Sequence, residues 1–125
     1  MIGGVGTGLK GRAKITLVSP FLDREGNPIG EDEAIELLES PERVIAKQWL
    51  EGVEISTVHT VINYSTDPER PEHFETMLFG GPHSRKSWRY ATYEGALEGH
   101  KTLVLDLREQ LNVNGATWAE VTLPE

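Results

Sequence analysis

The sequence predicts an α+β domain: an antiparallel sheet of about five strands, one long helix over 93–111 packed on a face, and a short helix over 31–39 at an end. Three observations carry this. Strand-length apolar runs are separated by glycine turns instead of helices. One stretch after Thr92 repeats apolar residues at helical spacing, with Ala96, His100, Leu103, Val104, Leu107 and Leu111 on a single stripe. Residues 31–39 place Glu31, Asp32 and Glu33 in a first turn, where the helix dipole favours them, and stop at Ser40-Pro41.

Taken in order, residues 1–12 are a glycine-rich lead-in and 13–125 a single domain. The run Gly3-Gly4-Val5-Gly6-Thr7-Gly8 lacks a preceding strand and the Lys-Ser/Thr pair of a phosphate loop. Ala13–Val18 reads as a first strand, and Asp23–Pro28 as a turn without the spacing of a calcium loop. Arg43–Leu50 and Val53–Tyr64 form a hairpin across Glu51-Gly52. The polar segment Ser65–Glu72 leads to the hub, Phe74–Phe79, where Phe74, Thr76 and Leu78 alternate with Glu75, Met77 and Phe79. Large apolar groups on both sides predict a central strand covered on each face. Gly80-Gly81-Pro82 breaks the run, Lys86–Ala91 resumes it, and Thr92 caps the long helix. After the turn 112–115, residues 116–123 read as a last strand at an edge.

The chain has 125 residues, 20 acidic against 12 basic, a formal charge of −8, and no cysteine. Disulfide frameworks and thiolate metal sites are excluded by composition. No run approaches the roughly 20 apolar residues of a membrane span, and no signal-peptide core is legible, so a soluble intracellular protein is expected. The acidity disfavours direct nucleic-acid binding and suits docking on a basic surface of another protein.

Chemistry-bearing residues are sparse. His73 and Glu75, two apart, with His59 on a neighbouring strand, would make a two-histidine, one-carboxylate metal set. The spacing is common, and no His-Glu-x-x-His pair supports it. His100 on the apolar stripe reads as a core histidine bonded to strand backbone. Glu75 in a central strand costs on the order of several kcal/mol unless paired, and Arg89 on the next strand is its partner, either structurally or in a pocket. No nucleophile-and-base constellation is legible, and no cofactor is implied.

Ser56-Thr57-Val58, Phe74-Glu75-Thr76-Met77-Leu78-Phe79-Gly80-Gly81, Arg89-Tyr90-Ala91-Thr92 and Gly99-His100, in that order, resemble a family of small uncharacterised proteins of tailed bacteriophages, especially those of actinobacteria. The Asp23–Pro28 turn, the acidic helix and Arg43-Val44-Ile45-Ala46 extend the likeness over residues 20 to 105. After Ser-Thr-Val the family continues with a bulky residue, Leu-Gly and Asp-His. Here His59-Thr60-Val61-Ile62-Asn63-Tyr64 stands instead. The resemblance implies a phage setting and not a reaction.

The functional expectation is a non-enzymatic binding protein of a phage or prophage, acting in the host bacterial cytoplasm on a host protein in counter-defence or host takeover. A homodimer through the open sheet face, with Trp49, Tyr64 or Trp88, is expected to cover apolar surface. Two alternatives are a sponge for a small anionic nucleotide, with Arg85, Lys86 and Arg89 converging near Glu75, Tyr90 and His100, and a small metal-dependent hydrolase using His59, His73 and Glu75.

Overall fold

A computed structural model of the chain describes residues 20–125. The expected strand Ala13–Val18 and the lead-in lie outside the described residues. Four strands form one antiparallel sheet in sequence order: β1 (Val44–Leu50), β2 (Val53–His59), β3 (Phe74–Phe79) and β4 (Ser87–Tyr90). Helix α1 (Glu31–Glu39) precedes them and α2 (Tyr93–Arg108) follows, continued by a wider π turn at Glu109–Val113. The α+β class and the long and short helices agree with the sequence reading. The strand count among the described residues is four.

The discrepancy lies at the C-terminal end, where residues 116–123 are not a strand. Thr117 and Glu120 cap each other reciprocally and start a 3-10 turn at Trp118–Glu120. The Gln110 side-chain amide then takes both the N–H and the carbonyl of Thr122, at 2.8 and 3.0 Å. One side chain thus replaces the ladder partners a strand would need.

The hairpin between β1 and β2 turns on Glu51 at φ 44° and Gly52 at φ 87°, the pair of positive values a type I′ turn requires. Strand β2 stops at His59, well before Tyr64. The chain leaves the sheet there because Thr60 N–H bonds the His73 carbonyl and Val61 takes φ 70° to offer its own carbonyl to Leu22. A β-branched residue held at positive φ is strained and persists only where its surroundings demand it.

Register places Ile55 opposite Leu78, Thr57 opposite Thr76, and His59 opposite Phe74, all on one face. Helix α2 lies across that face and touches all four strands. Leu50, Val53, Ile55 and Leu78 from the sheet, Leu103, Val104 and Leu107 from α2, and Leu111 and Val121 beyond it form the main core. A second cluster, Ile29, Ala34 and Val61, seats α1 beside the sheet. In α1 Ala34 points inward, whereas Leu38 is exposed.

Strand β3 is central, and among the described residues no helix or strand packs on the far face of the sheet, where Ser56 is nonetheless buried. Trp49 is 62% exposed and Phe79 43%. A bulge between Val44 and Ala46 turns Val44 onto this face, away from Ala46 and Leu50. Trp88 is not part of it: it lies opposite Thr76 on the covered side, and its Nε1 donates to the Pro124 carbonyl at 3.1 Å. No helix among the described residues is long and apolar enough to cross a membrane.

Candidate functional site

Beneath α2 three polar side chains form a buried chain. Thr57 Oγ1 lies 2.5 Å from Thr76 Oγ1 and 2.7 Å from His100 Nδ1, and Thr57 and Thr76 are fully buried. The three satisfy one another, which burial in an apolar layer demands. Burial holds His100 below its ordinary pKa and keeps it neutral. Its partner is therefore a side chain of the sheet, not the strand backbone expected from the sequence. A hydroxyl so fully enclosed has no access to a substrate, so the trio reads as a lock between helix and sheet.

Beside this lock a groove of about 860 Å³ opens between α2, β4 and the C-terminal segment. One wall is Trp88 and Tyr90, the inward residues of edge strand β4. The other is the α2 stripe Gly95, Gly99, Thr102 and Asp106, and Leu103 and Leu123 also line the groove. Gly99 is required: a Cβ there would sit 2.4 Å from the Tyr90 ring. Glu98 and Asp106 bring carboxylates to otherwise largely apolar walls. The size and lining match sites that take a drug-sized molecule or a short peptide.

At the end of β2 the rings of His59 and His73 meet edge to face, 5.5 Å apart, with Phe74 against both. His59 Nε2 is 3.1 Å from the Leu22 carbonyl and so carries the proton. Burial, with the repulsion a second proton on His73 would meet and the charge of Arg24, lowers its pKa to about 4 against the pull of that carbonyl. Both ring nitrogens of His73 are buried without a hydrogen bond among the described residues. The Arg24 carbonyl favours its charged form but is not in bonding geometry, and burial outweighs it.

The residues singled out from sequence are dispersed. Glu75 faces Arg89 across the strands, with Arg89 Nε 3.3 Å from Glu75 Oε2 and the guanidinium stacked 4.4 Å over Tyr64, all on the far face. Arg85 sits in the β3–β4 loop at φ 78°, and Lys86 reaches to 5.8 Å over Trp88. Tyr90 lines the groove, and His100 is beneath the helix. Arg85, Lys86 and Arg89 therefore do not converge on one pocket. Nor do His73 and Glu75 share a face. The strand register ends at Phe74, His73 turns in toward His59, and Glu75 points outward. No three His, Asp or Glu side chains among the described residues group as metal ligands.

The short segments that carry the phage-family resemblance do come together in space. Thr57, Thr76 and His100 bond one another, Tyr90 rests on Gly99, and Glu75 pairs with Arg89. The groove itself was missed from sequence because its signal, Gly95-x-x-x-Gly99 on a helix, has meaning only once Tyr90 is seen against it. No protein family model, curated protein or solved structure matches this chain.

Proposed function

We propose that this chain is a small non-enzymatic binding protein of a phage or prophage, acting in the host cytoplasm on a host protein in counter-defence or host takeover. The observation that carries the binding reading is the groove along β4. Its apolar walls suit an aliphatic or aromatic anchor, and Glu98 and Asp106 suit a basic residue beside it. Strand β4 pairs only with β3 among the described residues, so its outer edge offers backbone groups to an extended segment. The fitting occupant is an extended segment of a host protein with an apolar anchor next to Lys or Arg. The overall charge of −8 favours the same basic partner. The phage setting rests on the resemblance alone.

The test is capture from host lysate by the wild-type chain and by two groove variants, Thr102→Trp, which fills the space, and Glu98→Lys, which inverts its charge. Both positions are exposed, so both variants should fold. A host protein retained by the wild type and lost by both supports the reading. Equal capture by all three, or capture of nothing, contradicts it. A second copy of this chain could instead cover the far sheet face with Trp49 and Phe79, and light scattering of the purified protein would then give twice the chain mass.

A further inference from the structure

The groove does not use the two arginines at the other end of the sheet. A small cavity of about 40 Å³ lies where the 23–28 turn, the end of α1 and the end of β2 meet, lined by Arg24, Leu37, Ser40, Glu42, Arg43 and His59. Neither Arg24 nor Arg43 has a carboxylate within ion-pair distance among the described residues, although the chain carries 20 acidic residues. The Arg43 Nε is buried and has no acceptor among the described residues. A buried guanidinium N–H without an acceptor is rare enough to need a reason. Arg24 is steadied at the cavity by its stack over Tyr93, 4.4 Å from ring centre. His59 donates its Nε2 proton to the Leu22 carbonyl, so its Nδ1 can only accept a hydrogen bond.

We propose that this cavity binds a small tetrahedral oxyanion, a phosphate group, held by the guanidinium groups of Arg24 and Arg43, with His59 forming part of the cavity wall. Guanidinium N–H groups are the donors best matched to phosphate oxygens, and here two arginines from separate segments line one small cavity. The volume admits the anion head alone, so a larger phosphorylated ligand would leave its body outside, past Glu42. The carboxylate of Glu42 opposes the anion, which sets a moderate affinity and makes it a useful probe. The phosphate can be free or the end of a larger molecule, and the experiment separates these.

The experiment follows the amide and imidazole NMR signals of the full chain during titration with inorganic phosphate, with chloride at matched ionic strength as control. Phosphate is expected to shift the signals of Arg24, Arg43 and His59 saturably, while chloride does not. Arg24→Gln and Arg43→Gln should each weaken binding about tenfold or more, as loss of a charge-assisted contact does, and Glu42→Gln should strengthen it. A phosphorylated serine or nucleoside monophosphate that binds more tightly than phosphate identifies an attached phosphate as the guest, and equal binding identifies the free ion. No saturable shift in the wild type, or equal shifts in both arginine variants whose spectra remain folded, would overturn the proposal. Neither result bears on capture by the groove.

Discussion

His59, His73 and His100 are almost entirely removed from solvent, at 1, 1 and 6% exposure, and all three are held below their ordinary pKa by burial. Each is neutral in the folded chain, whereas in the unfolded chain each takes up a proton near 6.5. The unfolded state therefore binds more protons as pH falls through that value. Stability from these groups is whole above about 6.5 and drains away toward the folded value, about 4 for His59. The expected slope is up to about 1.4 kcal/mol per pH unit for each histidine. Denaturant unfolding at pH 7, 6 and 5 should show this loss, and His59→Asn should flatten it. A stability unchanged down to pH 5 would mean that the imidazoles are accessible to protons in the folded chain. At this scale the sequence was informative only in part. The apolar stripe marked His100 as internal, but its hydroxyl partner, Thr57, lies 43 positions away in the chain, a distance no periodicity reports. Glu75 and Arg89 were legible because a short hairpin leaves little choice of register.

Among the elements, α2 and β4 decide whether the groove exists. The helix begins where Thr92 caps it, its Oγ1 accepting from Gly95 N–H at 2.9 Å. It runs with an apolar stripe inward and its glycine stripe against the edge strand. Gly99→Ala should push the Tyr90 ring from its place and destabilise the fold by about 1–3 kcal/mol, as overpacking does. Tyr90→Ala added to Gly99→Ala should recover part of that loss, since the two residues touch and their effects cannot add. Thermal unfolding of the four chains measures it. Simple additivity would separate helix from strand at this point. Helix α1 and strand β3 were readable with their observed boundaries because caps, prolines and glycines bracket them. The final strand was misread. Thr117, Ala119, Val121 and Leu123 alternate as a strand does, yet Thr117-x-x-Glu120 is also a capping signature, and that local pairing prevailed.

At the level of the whole molecule, one sheet face is sealed by α2, with the groove at its margin, and no helix or strand among the described residues packs on the other. Apolar surface is exposed at Trp49, Tyr64 and Phe79 and, elsewhere, at Ile35, Leu105 and Val113, while the half-buried Trp88 and Leu123 line the groove. The layering was legible from one amphipathic helix following alternating strands. Which sheet face the helix would take was not, because β3 carries large apolar residues on both. On the face it takes, His100 finds a hydroxyl in Thr57, which Thr76 bonds in turn. The imidazole of His100 therefore reports most directly on whether helix and sheet are joined as described. Nitrogen-15 NMR of that ring across pH 7 to 4 should find it neutral well below 6.5, with proton contacts to the methyl groups of Thr57 and Thr76. A ring that titrates at its ordinary value, with no such contacts, would mean that α2 does not seal this face and that the groove beside it is not formed.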